Sequence, residues 1–215
     1  MKVLLYNPRS SANRKPVLPM SLLAVAAVLE GDREVAIIDG NLDHDPAGTL
    51  DALIGAGAAD TVLGVTVMPG PQLEEAVPLS RELKRRHPEL TVVWGGYFPS
   101  QHWDACLRSS AVDLVVRGHG ERVFQDLIAS LEGSSPALAE IAGLAWRDGD
   151  EPRSNPRAPI PRPETLPEWN YDLIDMPSYL RPTFLGRRTV AAHTSYGCPY
   201  FCNFCAVVTM VEGRW

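Results

Sequence analysis

Three cysteines carry the plainest chemistry in this sequence. They fall as Cys198-x-x-x-Cys202-x-x-Cys205, three thiols within eight residues. Soft thiolates select iron–sulfur clusters, zinc or copper(I), and spacing separates these choices. Structural zinc takes four protein ligands, often as two C-x-x-C pairs; here three cysteines stand together and no second pair follows. A cubane cluster held by three thiolates leaves one iron open to chelate a further ligand. Zinc completed by His193, or by residues outside this sequence, is the alternative chemistry. Gly197 and Pro199 let the chain turn tightly around a cluster, and Phe201 and Phe204 can shield it from water. Cys106 lies far upstream in an expected helix and reads as a small buried apolar residue.

A second set of residues could hold a bulky ligand. Asn7-Pro8, Met68-Pro69-Gly70, Gly95-Gly96 and Gly118-His119-Gly120 each follow an apolar run that reads as a strand. Glycine permits close backbone approach to a flat, large group. A single such pair is a plain tight turn; four at one sheet edge point to a ligand site.

The elements that must position these residues follow from periodicity. Strands are expected at Val3–Tyr6, Glu34–Asp39, Thr61–Val67, Leu90–Trp94 and Val112–Val116. Helices are expected over 21–30, 46–56, 73–87, 101–108 and 120–131. Strands alternating with helices argue for a parallel sheet covered on both faces, and near-continuous apolar strands agree. Five such units in residues 1–135 fit an α/β, flavodoxin-like doubly wound parallel sheet. Ligands in such folds sit beyond the carboxyl ends of the strands, where the strand order reverses.

Composition then changes. Residues 136–186 read as a linker with one short β element, turned at Asp148-Gly149. Pro152, Pro156, Pro159, Pro161, Pro163 and Pro167 exclude helix interiors and central strands. The linker is expected to drape over a surface, anchored by Trp169, Tyr171, Leu173 and Ile174. Thr189–His193 reads as a further strand that opens residues 187–215 and runs into the cysteines. One strand and one loop are not a domain, so a longer protein is expected.

Bulk properties exclude several classes. The chain has 215 residues, 45% hydrophobic and 21% charged, with a formal charge of -6. No basic stripe supports a nucleic-acid partner. No apolar run reaches the ~18 residues of a membrane span, and the N-terminal apolar stretch is too short for a signal peptide. The default compartment is the cytoplasm. No Walker loop or Ser–His–Asp arrangement is present.

The pattern C-x-x-x-C-x-aromatic-C after a strand resembles that of radical SAM enzymes. Leu4-Leu5-Tyr6-Asn7-Pro8, Pro19-Met20-Ser21-Leu22, Val35-Ala36-Ile37-Ile38-Asp39, Gly95-Gly96 and Gly118-His119-Gly120-Glu121 resemble, in order, the cobalamin-binding domain that precedes the barrel in cobalamin-dependent members. This resemblance covers essentially the whole chain. It implies that Cys198, Cys202 and Cys205 bind a 4Fe-4S cluster, with S-adenosylmethionine on the fourth iron and Phe204 beside it. It implies cobalamin at Asn7, Met68, Gly95, Gly96, Gly118 and Gly120, and residues 187–215 as the start of a (β/α) barrel. The implied reaction is methylation of an unactivated carbon in a small-molecule or natural-product substrate. One S-adenosylmethionine would recharge cobalamin and another would generate the substrate radical. An electron donor such as flavodoxin or ferredoxin is implied as a partner. Radical rearrangement or cyclisation, or a non-catalytic cofactor-binding module, are the alternatives.

Two positions depart from the pattern. Asp39-Gly40-Asn41-Leu42-Asp43-His44 does not match the D-x-H-x-x-G motif that supplies a lower-face histidine in other cobalamin proteins. Phe98 stands where a G-G-x-H-P turn has histidine, and His119 replaces the first glutamate of G-E-G-E.

Overall fold

The computed structural model describes residues 1–207, except 11, 12, 14, 15, 30, 32, 194 and 196. Five parallel strands form the frame: β1 (Lys2–Asn7), β2 (Glu34–Asp39), β3 (Thr61–Thr66), β4 (Thr91–Gly95) and β5 (Leu114–Val116). Between and after them run α1 (Met20–Ala27), α2 (Pro46–Ile54), α3 (Pro71–Arg86), α4 (Tyr97–Gln101), α5 (Trp103–Leu107) and α6 (Gly120–Leu131). The parallel strands lie in the order β2-β1-β3-β4-β5, so β1 and β3 are neighbours whose chains depart in opposite directions. That is the expected doubly wound arrangement, with its switch point between β1 and β3.

Alternation along the strands divides the core. Leu4, Tyr6, Leu63, Val65, Val92, Trp94 and Val115 pack with Leu50, Leu79, Leu83 and Leu107 from the helices of one face. Val3, Leu5, Val62, Val93, Leu114 and Val116 pack on the other with Leu22 and Ala26 of α1 and Phe124, Leu127 and Ile128 of α6. Each fully buried Leu, Val or Phe stabilises by about 1.5–3 kcal/mol, and the period of two commits every strand residue to one layer. Trp94 keeps its polar handle satisfied, its Nε1 donating to Ser80 Oγ at 3.1 Å.

The sheet does not stop at β5. The hairpin expected within the linker forms β6 (Leu144–Asp148) and β7 (Glu151–Ser154), which extend the same sheet antiparallel to seven strands. The physical reason is the edge: β5 would otherwise present unpaired N–H and C=O groups. The helix expected over 101–108 is two short helices, α4 and α5, meeting at His102.

The proline-rich segment is draped, as expected. Leu166 and Leu173 pack against the α1/α6 layer. Trp169, Ile174 and Met176 close over Leu18, Leu23 and Tyr179. Tyr171, expected as an anchor, is instead 44% exposed. Beyond it come α7 (Met176–Tyr179) and a separate hairpin of β8 (Arg181–Thr183) and β9 (Gly186–Thr189). Thr189–His193 is not the expected strand. The β-structure ends at Thr189, because among the described residues no strand lies beside 190–193 to complete a ladder. No helix among the described residues is long and apolar enough to cross a membrane.

Candidate functional site

Parallel strands place the turns after β1, β3, β4 and β5 on one edge. On this edge a cavity of about 260 Å³ opens between the sheet, α1 and α6, beside the turns after β4 and β5. Leu5, Gly64 to Thr66, Val93 and Val116 form its floor. Gly95, Gly96, Gly118 and Gly120 form its rim, while Met20 to Leu22, Ala24 and Val25 of α1 and Phe124 of α6 form a side wall. Trp169 from the draped segment and His193 from the chain beyond it complete the lining. The polar groups are few: Ser21, Thr66, His119, Glu121 and His193. A mostly apolar concavity with a few polar groups is the usual form of a small-molecule site.

Two glycines matter here for conformation as well as space. Gly96 has φ +91, and a Cβ there would stand 2.9 Å from Thr66 Oγ1 and 3.1 Å from Val67 N. Gly118 has φ +80, and a Cβ there would meet nothing within 4 Å. Ser100 ties the two turns together: its Oγ donates to the Gly96 carbonyl at 2.6 Å and accepts from the Gly118 N–H at 2.9 Å. Ser100 is buried and had no signal in the sequence.

Asn7 and Met68 reach the same edge but do not line the cavity. Asn7 is buried; its Nδ2 donates to Asp39 Oδ1 at 3.1 Å and its Oδ1 accepts from Gln72 Nε2 at 2.9 Å. Gln72 Oε1 in turn accepts from the Met68 backbone N–H at 2.9 Å. Asn7 thus bridges the ends of β1 and β2, and the Met68 side chain is 49% exposed. Thr66 and Gly64 are lining residues that the sequence did not single out, while Trp169 was expected as a linker anchor and His193 as a possible zinc ligand, neither of them here. Glu121 had a local cue, as the last residue of Gly118-His119-Gly120-Glu121.

The cysteine loop is a different kind of site. Gly197 takes φ +85 immediately before Cys198. The Cys205 N–H donates to the Cys202 carbonyl at 3.0 Å, which closes a tight turn between those two thiols. Cys198 and Cys205 are half-buried, Cys202 is exposed, and all are free. Phe204 is 92% exposed and Phe201 66%, so neither ring is packed away. Among the described residues no group of three or more His, Cys, Asp or Glu side chains is gathered to hold a metal. The fit to a cluster therefore rests on the donor set, three thiols on one exposed glycine-led loop, which is the chemistry such a cluster takes. Cys106 is buried in the core, and burial pushes its thiol up to about 12, which suits packing and not ligation.

The strand order and the glycine-rimmed cavity at the carboxyl edge define a ligand-binding doubly wound α/β domain. The B12 binding domain family matches residues 14–128, more than half of the chain, and the chain belongs to that family. It is 25% identical over 225 residues to the anaerobic magnesium-protoporphyrin IX monomethyl ester cyclase of Synechocystis sp., covering 95% of this chain and 42% of the cyclase. It is 28% identical over 222 residues to an uncharacterized methyltransferase of Pyrococcus horikoshii, covering 100% of this chain and 47% of that protein. The chain thus spans less than half the length of these curated relatives. Among solved structures, the radical S-adenosylmethionine methyltransferase TsrM from Kitasatospora setae, with cobalamin and a [4Fe-4S] cluster bound, shares the fold. The TM-score is 0.66 at 22% identity, over 95% of this chain and 41% of TsrM.

Proposed function

We propose that this chain is the cobalamin-binding portion, with the cluster loop, of a cobalamin-dependent radical SAM enzyme that methylates an unactivated carbon. The observation that carries the reading is the apolar cavity at the carboxyl edge of the sheet, rimmed by Gly96 and Gly118 in conformations that favour glycine. A corrinoid fits the chemistry of that wall: broad apolar surface to cover carbon, glycine turns for close approach, and few polar groups to set orientation. When bound, cobalamin would supply a transferable methyl group, and a 4Fe-4S cluster the electron that cleaves S-adenosylmethionine to a radical.

The chain's own residues do the positioning. Gly95, Gly96, Gly118 and Gly120 keep the rim open, and Ser100 fixes the two turns against each other. Asn7 and Met68, placed beside this rim, would contact the periphery of a ligand wider than the cavity. Trp169 and His193 bring the segment that leads to the cysteines onto the same edge. Cys198, Cys202 and Cys205 would hold the cluster, with Phe204 beside it, as residues from 187 onward begin the radical SAM barrel. A small-molecule substrate and a one-electron donor protein follow from this reading.

The Synechocystis relative is named as a cyclase, which favours ring closure as the second reading. Titration of the 215-residue chain with hydroxocobalamin, followed by the visible spectrum, tests the cobalamin assignment. Saturable binding lost in Gly96→Val supports it, and no binding removes it.

A further inference from the structure

We propose that Glu121 is the hydrogen-bond acceptor that selects and orients the ligand in this cavity, its Oε2 receiving an N–H or O–H of the corrinoid; this rests on the reading above. Glu121 is 4% exposed and lines the cavity. Its Oε2 is fully buried and has no hydrogen-bond partner. His119 Nδ1 stands 4.0 Å from it, beyond hydrogen-bond reach. A buried acceptor without a donor is costly, and a ligand that brings a donor to it removes that cost.

Position sets the group's character. Glu121 is the second residue of α6, a helix of 12 residues. The N-terminal end of a helix dipole complements negative charge, and a carboxylate offers acceptor oxygens only. The wall around it is apolar, with Leu5, Val93, Val116 and Phe124. Such a wall binds carbon without fixing its rotation; a polar group does that. The ligand must therefore bury a neutral donor at this point and carry no anion there, because like charge would oppose Glu121. A corrinoid has two sources of such donors: the primary carboxamides around the macrocycle and the hydroxyl groups of the nucleotide loop.

Two ligands and two variants test this on the full chain, with hydroxocobalamin and with cobinamide, which lacks the nucleotide loop. Glu121→Ala should weaken hydroxocobalamin binding by about ten- to a hundred-fold, the usual effect of leaving a buried donor unpaired. The Tm of the ligand-free variant should stay level or rise, because the orphaned carboxylate is gone. Weakening toward both ligands assigns the donor to a carboxamide; weakening toward hydroxocobalamin alone assigns it to the nucleotide loop. If Glu121→Ala does not fold, Glu121→Met, similar in length with no comparable acceptor, carries the same readout. Unchanged binding by a folded variant, or a Tm that falls together with binding, overturns the role of Glu121 and leaves the corrinoid reading standing. Failure of the unsubstituted chain to bind either ligand overturns both.

Discussion

The Tyr179 hydroxyl donates to Asp39 Oδ2 at 2.8 Å, across 140 residues of sequence. Asp39 ends β2, at the sheet edge that carries the cavity, and Tyr179 ends α7 in the draped segment. Asp39 Oδ1 also accepts from Asn7 Nδ2 at 3.1 Å, from the Asn41 N–H at 2.8 Å and from Asn41 Nδ2 at 2.7 Å. Four donors thus converge on one buried carboxylate. Burial and the Asp39 charge push the Tyr179 phenol well above its ordinary range, so it remains a donor at all ordinary pH.

Tyr179→Phe removes one donor from that carboxylate and keeps the ring in its apolar seat. A hydrogen bond to a charged group contributes about 1.5–3 kcal/mol, so stability to urea should fall by that amount. Limited proteolysis should cut sooner within residues 155–180. A variant as stable and as resistant as the parent would show that apolar packing alone holds the segment.

Gly96 and Gly118 should respond differently to a side chain. Both have positive φ, which costs a non-glycine residue roughly 1–2 kcal/mol. Gly118→Ala meets open space and should cost no more than that. Gly96→Ala adds the contacts with Thr66 Oγ1 and Val67 N at 2.9 and 3.1 Å, so it should cost more. Thermal or urea unfolding of both variants measures the difference, and equal losses would contradict the placement of the Gly96 turn.

Anaerobic loading with iron and sulfide should give about four irons per chain, the stoichiometry of a cubane cluster. Cys198→Ala, Cys202→Ala and Cys205→Ala should each abolish the brown chromophore. Cys106→Ala should retain it, because that thiol is buried in the α5 layer of the core. A protein that takes up only zinc under these conditions would sink the cluster assignment.

The lower face of bound cobalamin should carry no protein imidazole. His44, in the stretch where a D-x-H-x-x-G motif would supply one, is exposed in the turn after β2. Paramagnetic resonance of the cob(II)alamin form should show no axial-nitrogen splitting from the protein. A splitting that disappears in His44→Ala, or in His119→Ala or His193→Ala at the cavity lining, would contradict this.

The sheet and its switch point were legible in the sequence because βα alternation and apolar runs are local signals. Leu5 and Tyr6 illustrate why: adjacent residues of one strand commit to opposite layers. The place of Leu144–Asp148 was not legible, because its partner β5 is chosen by an exposed edge and not by local pattern. Strand ends likewise identify the functional edge but not the lateral position on it. Gly95, Gly96, Gly118 and Gly120 reach the cavity, while the Asn7 amide is committed to Asp39 and Gln72. Trp169 and His193 join the lining only through long-range packing, which no motif announces.

Equilibrium binding of hydroxocobalamin to the 215-residue chain, with Gly96→Val alongside, decides whether this cavity is a corrinoid site. Binding should be saturable and one-to-one with a shifted visible spectrum, and abolished in a Gly96→Val variant that remains folded by circular dichroism. Absence of corrinoid binding by the unsubstituted chain, or undiminished binding by the folded Gly96→Val variant, would contradict the placement of the ligand in the cavity between the sheet, α1 and α6.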